Sequence, residues 1–327
     1  MAPAPRCPRP CSRSRARRPL RRFNREGDLL FTCGKDSNIN LWWADNGERA
    51  GTFDGHKGAV WTLDTTHDSE LLLTGAGDSS ARLWAVRTGE ELFKFSFHEP
   101  ARAVRFAAGD RLAAISTDPF MASVSAIHLV DVAADLAEQS AEPLRSMTGP
   151  RGRISRLAFT DLNRTLLSAS EDGMVRRWDV ETGKVLQEAQ VHQKDIRDMQ
   201  LAPDGTHLIT ASADRTAKVL DAATLEVLKS YKTEVPVNSA AISPLFDHVL
   251  LGGGQEASAV TTTSSRAGHF EARFFHKVLC NEFANVSGHF GPINSVAFSP
   301  DGTAFVSGGE EGYVRLHHLD AEYFSNS

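Results

Sequence analysis

One spacing recurs along this chain and leaves few folds open to it. In three segments a His is followed 22 residues later by an acid and six residues after that by a large or apolar anchor: His56, Asp78 and Trp84; His192, Asp214 and Leu220; His289, Glu311 and His317. A hydroxyl stands four residues before each acid, at Thr74, Thr210 and Ser307. Two further segments keep only the second half of the pattern, at Thr32, Asp36, Trp42 and at Ser168, Asp172, Trp178. Asp36 to Asp78 and Asp172 to Asp214 are both steps of 42 residues. The longer gaps, Asp78 to Asp172 and Asp214 to Glu311, each have room for two units, and weaker copies fill them around Leu112–Asp118 and Val249–Glu256. Seven units result, and a tandem period of this length marks a repeat architecture.

Within a unit, short apolar or alternating runs such as Ala59–Leu63, Leu71–Thr74 and Ala81–Trp84 read as strands separated by turns. Ala202-Pro-Asp-Gly205 and Ser299-Pro-Asp-Gly302 are turns with a mechanism, Pro presetting φ and Gly accepting positive φ. Four strands per unit of this length is a propeller blade. One blade cannot bury both faces of its sheet, whereas blades in a ring can. The expected fold is therefore all-β, a seven-bladed propeller over residues 23–327, preceded by an Arg/Pro-rich segment at 1–22 too poor in apolar residues to bury.

A His, a hydroxyl and an Asp resemble a hydrolase triad. Their recurrence argues for structure instead, because an active site needs one copy. An indole N–H donating to the hydroxyl, with His and Asp completing a buried network, accounts for the set. Its degeneracy fits: Leu220 stands where Trp84 does, and His317 or His318 takes that place in the last unit. Adjacent His317 and His318 on a strand point to opposite faces and cannot easily share an ion. Gly252–Gly254 lacks the Lys-Ser/Thr of a phosphate loop and reads as a strand-end turn. No catalytic, cofactor or metal constellation is expected.

Cys7, Cys11, Cys33 and Cys280 are too scattered for a disulfide framework or zinc module. No apolar run is long enough to span a membrane. The net charge of −5 includes eight Arg and no acid in residues 1–22, so the remainder carries −13 and is no obvious nucleic-acid binder.

These units resemble those of the WD-repeat family. A closer resemblance lies in Phe23–Thr32, in Asn46-Gly-Glu-Arg-Ala-Gly51, and above all in Pro236–His276, which combines Gly252-Gly-Gly-Gln-Glu256, Val260-Thr-Thr-Thr263 and Gly268-His-Phe-Glu-Ala-Arg-Phe-Phe-His276. Gly288–Phe298 and Glu311–Asp320 continue it. In these segments the chain resembles the i subunits of eukaryotic translation initiation factor 3, from about Phe23 to Phe324. The resemblance implies a non-catalytic, cytoplasmic scaffold that contacts the b and g subunits and, through the complex, the small ribosomal subunit and mRNA, with no cofactor, membrane or small-molecule substrate. In that family an opening strand joins the last blade. Here Pro5, Pro8 and Pro10 replace it, which leaves the first-blade strand and the closure of the ring open. Ser14 and Pro150 stand where blades one and four would carry His. The head is readable as an altered or mis-predicted start, a basic tail or a targeting segment.

Two surfaces are partner-binding candidates. Asp195, Asp198, Asp214, Glu226 and Glu234 form an acidic set suited to a basic helix, with a solvated acidic face as the plain alternative. Arg266, Glu271 and Arg273 sit among aromatics in the Ala257–His276 insertion, readable also as an extended outer strand pair. The competing functions are a WD-repeat adaptor of a ubiquitin ligase or signalling complex, which would not need the Pro236–His276 signature, and a propeller enzyme, which would need one unrepeated ionisable cluster at the channel.

Overall fold

A computed structural model describes residues 20–120, 124–149, 152–254 and 270–325. Alternation of apolar residues with turn residues yields antiparallel meanders. Blade one comprises β1 (Leu20–Phe23), β2 (Leu29–Cys33), β3 (Ile39–Trp43) and β4 (Arg49–Phe53); blade two β5 (Val60–Thr65), β6 (Leu71–Ala76), β7 (Ser80–Ala85) and β8 (Glu91–Ser96). Blade three comprises β9 (Ala101–Phe106), β10 (Leu112–Thr117), β11 (Ala126–Asp131) and β12 (Arg145–Thr148); blade four β13 (Ile154–Thr160), β14 (Thr165–Ser170), β15 (Met174–Asp179) and β16 (Val185–Gln190). Blade five comprises β17 (Ile196–Leu201), β18 (His207–Ser212), β19 (Thr216–Asp221) and β20 (Val227–Lys232); blade six β21 (Val237–Ile242), β22 (His248–Gly253), β23 (Ala272–His276) and β24 (Glu282–Val286). Blade seven has, among the described residues, three strands, β25 (Ile293–Phe298), β26 (Ala304–Gly309) and β27 (Val314–His318).

The core is not central but divided among the joints of the ring. Seven apolar clusters each combine two neighbouring blades. Phe31 and Phe53 of blade one meet Leu63, Leu72 and Trp84 of blade two. Tyr231 and Ile209 of blade five meet Val249 and Phe275 of blade six. The joint that decides closure holds Phe23, Leu30 and Trp42 of blade one against Val306, Val314 and Leu316 of blade seven. The ring therefore closes, and the first-blade strand forms. Strand β1 begins at Leu20 and takes Arg21 and Arg22 into register with Thr32 and Phe31. Closure through an opening strand beside β27 would involve residues before Leu20, which lie outside the described residues.

Two local features explain sequence elements that resembled something else. Gly252 and Gly253 are strand residues of β22, and a Cβ on Gly252 would sit 2.7 Å from the Ile293 side chain of blade seven. Gly252 thus lets β25 approach closely, and Gly253 lets Pro236 of its own blade do so; they form no phosphate cradle. In the Pro-Asp-Gly turns, Gly205 and Gly302 take φ of 71° and 68°, and their N–H groups close the turns onto Ala202 and Ser299. After β27 the short helix α1 (Ala321–Ser325) crosses to blade six, where the Tyr323 hydroxyl bonds His248 Nδ1 at 2.8 Å.

Candidate functional site

Blade two shows how the recurring residues meet. β6 and β7 pair so that Thr74 lies opposite Arg82, and Trp84, two residues on, returns to the face of Thr74. The Trp84 indole N–H donates to Thr74 Oγ1 at 2.9 Å, and His56 Nε2 lies 2.8 Å from the same oxygen. His56 Nδ1 bonds Asp78 Oδ2 at 3.0 Å, and Asp78 also accepts the Lys57 N–H and the Ser80 hydroxyl. This chain of bonds fixes the His with Nδ1–H donating to the carboxylate, a tautomer assigned from the network. Blade five repeats it with His192, Thr210 and Asp214, at 2.8 Å and 2.9 Å, and buries Leu220 in place of the indole. Blade seven repeats it with His289, Ser307 and Glu311; His317 fills the Trp position, bonded to Ser307 Oγ at 3.1 Å and stacked on Phe305.

Blades one and four lack the His. Trp42 and Trp178 still donate to Thr32 and Ser168, each at 2.9 Å. Asp172 is held by Arg176 at 2.7 Å and by the Ser170 hydroxyl. Asp36 is held less well: its buried Oδ1 has no hydrogen-bond partner, and burial outweighs the backbone bonds, the Asn38 N–H among them, and raises the carboxyl above its ordinary range. Blades three and six have neither hydroxyl nor indole. Ile115 faces His128, two residues before Val130, and Leu251 faces Arg273, two residues before Phe275. The pair disappears together, as expected when losing one partner would strand the other, while replacing both by apolar groups costs little.

Sequence reasoning missed the residue opposite each hydroxyl. It is Arg82, Arg176, Lys218 or Arg315 in blades two, four, five and seven and Asn40 in blade one, always four residues after the acid, and the spacing was a signal available to find it. Arg82 links Asp78 to Glu91 of β8, and Arg176 links Asp172 to Glu188 of β16.

The five acidic candidates do not form one surface. Asp198 is buried on the inner strand, held by Arg156 at 2.7 Å, by Ser239 and by Gln200, and Asp214 belongs to the His192 network. Asp195 is half-buried and pairs with Arg197. Glu226 and Glu234 are exposed at opposite ends of β20. Glu271 is half-buried, and Arg273 lies 3.6 Å from Glu282. Arg266 lies outside the described residues; of that insertion 270–276 is described, with Ala272–His276 as β23 between β22 and β24. No group of His, Cys, Asp and Glu that could hold a metal occurs among the described residues, and no helix there is long and apolar enough to cross a membrane.

The buried histidines give the network a pH dependence. Burial holds His56, His192 and His317 below the ordinary value, His317 at about 4. A lowered His pKa means that the unfolded chain binds more protons, so stability is complete above the unfolded value near 6.5 and falls as pH drops toward 4. Burial alone would raise Asp78, but bonds from Ser80, Lys57 and His56 outweigh it and hold it at about 2. Its contribution is lost in a second window, from about 3.8 to 2. Urea midpoints measured from pH 7.5 to 4 will fall, and His317→Gln will flatten that decline; an unchanged slope would exclude the assignment. At the matched blade-one and blade-two positions, Asp36→Asn will raise or preserve the midpoint, while Asp78→Asn will lower stability by about 1–3 kcal/mol. Equal losses would show that the two carboxylates are held alike.

Comparison with known proteins matches residues 9–327 to the EIF3I family model. Proteins called eukaryotic translation initiation factor 3 subunit I are similar across the chain. Those of Drosophila yakuba and Drosophila melanogaster are 47% identical over 307 residues, 93% of this chain and 95% and 94% of theirs. That of Bombyx mori is 47% identical over 304 residues, 93% of this chain and 92% of its own.

Proposed function

The chain belongs to the EIF3I family, and on that premise we propose that it is a non-catalytic scaffold subunit of eukaryotic translation initiation factor 3, acting in the cytoplasm to support assembly of the preinitiation complex on the small ribosomal subunit and recruitment of mRNA. The observation that carries this reading is the extent of the similarity, 47% identity over 93% of the chain to relatives bearing that name. The polar sets support the non-catalytic part. They recur from blade to blade with their hydrogen-bonding capacity spent on one another and on neighbouring strands.

Other subunits of the factor, b and g in particular, are the proposed partners. Glu234, beside the start of blade six, and Glu226, in the β19–β20 turn, are the candidate acids exposed enough to meet a basic helix. A tagged chain incubated in eukaryotic cytoplasmic extract will recover the b and g subunits with small-subunit ribosomal proteins, as read by mass spectrometry. Glu226→Lys combined with Glu234→Lys will reduce that recovery. A soluble, folded chain that recovers neither subunit would overturn the reading in favour of an adaptor for another complex.

A further inference from the structure

The inner wall of the ring carries charges that the repeat does not require. At one depth, β1, β5 and β9 present Arg22, Asp64 and Arg105; one step along, β13 and β17 present Arg156 and Asp198. All five line a single cavity of about 1050 Å³. The two carboxylates are fully engaged. Asp64 lies 2.7 Å from Arg22 Nε and 3.6 Å from Arg105 Nε and accepts the Phe106 N–H at 2.8 Å. Asp198 accepts from Arg156, Ser239, Gln200 and the Met199 N–H.

The guanidiniums of Arg22 and Arg105 are less so, whereas Arg156 donates both to Asp198 and to the Ser155 carbonyl. Arg105 makes no hydrogen bond among the described residues, and Arg22 meets only Asp64. Their side chains keep 28% and 35% of their surface open, enough for a ligand in the channel to reach them. Burial lowers Arg22 to about 10, and the nearby charges of Arg105 and Arg156 add to that effect against Asp64. Arg22 and Arg105 thus share the single carboxylate of Asp64, and Arg156, itself paired with Asp198, adds its charge to the same field.

We propose that this channel binds a compact polyanion bearing two or more phosphate groups, held by Arg22 and Arg105. Planar guanidinium forks match phosphate oxygens, and two forks on separate strands call for an anion with more than one phosphate. The cavity is of the size that holds a small ligand. Asp110, Asp161 and Asp204 line the same cavity from the turns, bonded to the His67 N–H, to Arg177 and to Thr206. These carboxylates disfavour a long nucleic-acid strand leaving the channel at that end.

The test is isothermal titration of the full chain with inositol hexakisphosphate, inorganic triphosphate and orthophosphate. The expected result is one site, with the two polyphosphates bound at least about tenfold more tightly than orthophosphate. Arg105→Gln will weaken them by about tenfold or more while changing the ligand-free melting temperature little, because the lost 3.6 Å pairing with Asp64 is offset by relief of repulsion from Arg22. Arg22→Gln serves as a second variant, and exposed Arg87→Gln as a control that changes nothing. No binding of either polyphosphate, or binding that survives both channel substitutions, would overturn the proposal.

Discussion

The bond from a tryptophan indole to a hydroxyl on the next strand, Trp84 to Thr74 and its counterparts, sets the position of everything around it. It holds strands two and three of a blade in a register that turns the large ring toward the preceding blade. Trp84 reaches Phe53 of blade one in an edge-on contact at 6.0 Å, and Trp178 enters the cluster shared by blades three and four. The polar network thereby aims the apolar residues that form each joint. Since the core consists of seven such joints rather than one central mass, no blade can bury its faces without both neighbours.

Degeneracy follows the same logic. Ile115 with Val130, and Leu251 with Phe275, replace hydroxyl and indole together and leave a dry joint. Leu220 replaces the indole alone, and Thr210 remains satisfied through His192 and the Lys218 carbonyl. Asp36, whose blade has no described His, keeps an unanswered oxygen, which marks blade one as the place where the pattern has eroded without compensation.

The ring was legible in the sequence wherever residues meet at a fixed separation along the chain. A His and its acid, a hydroxyl and its Trp, and the Pro-Asp-Gly turns lie within one blade, so their spacing survives in one dimension. Closure was not legible. It depends on Phe23 and Trp42 meeting Val306 and Leu316 across almost the whole chain, and no local spacing records that contact. Asp198 illustrates the same limit. Its neighbours in sequence suggested an acidic surface, whereas the side chain faces inward to Arg156 of the preceding blade and Ser239 of the following one. The channel arginines escaped for the same reason, since Arg22, Arg105 and Arg156 come from three different blades.

That the hydroxyl and the indole act as one unit is the claim on which the account of both the fold and its variation stands. A double-mutant cycle on Thr74→Val and Trp84→Phe, read by urea unfolding, tests it directly. Each single change strands a buried partner or empties a hydrogen bond and should cost about 1–3 kcal/mol. The double variant should cost less than the two together by about 1 kcal/mol or more, reproducing in blade two the paired apolar state of blades three and six. Losses that simply add would mean that the two residues stabilise the blade independently and that the indole–hydroxyl bond does not organise the joint.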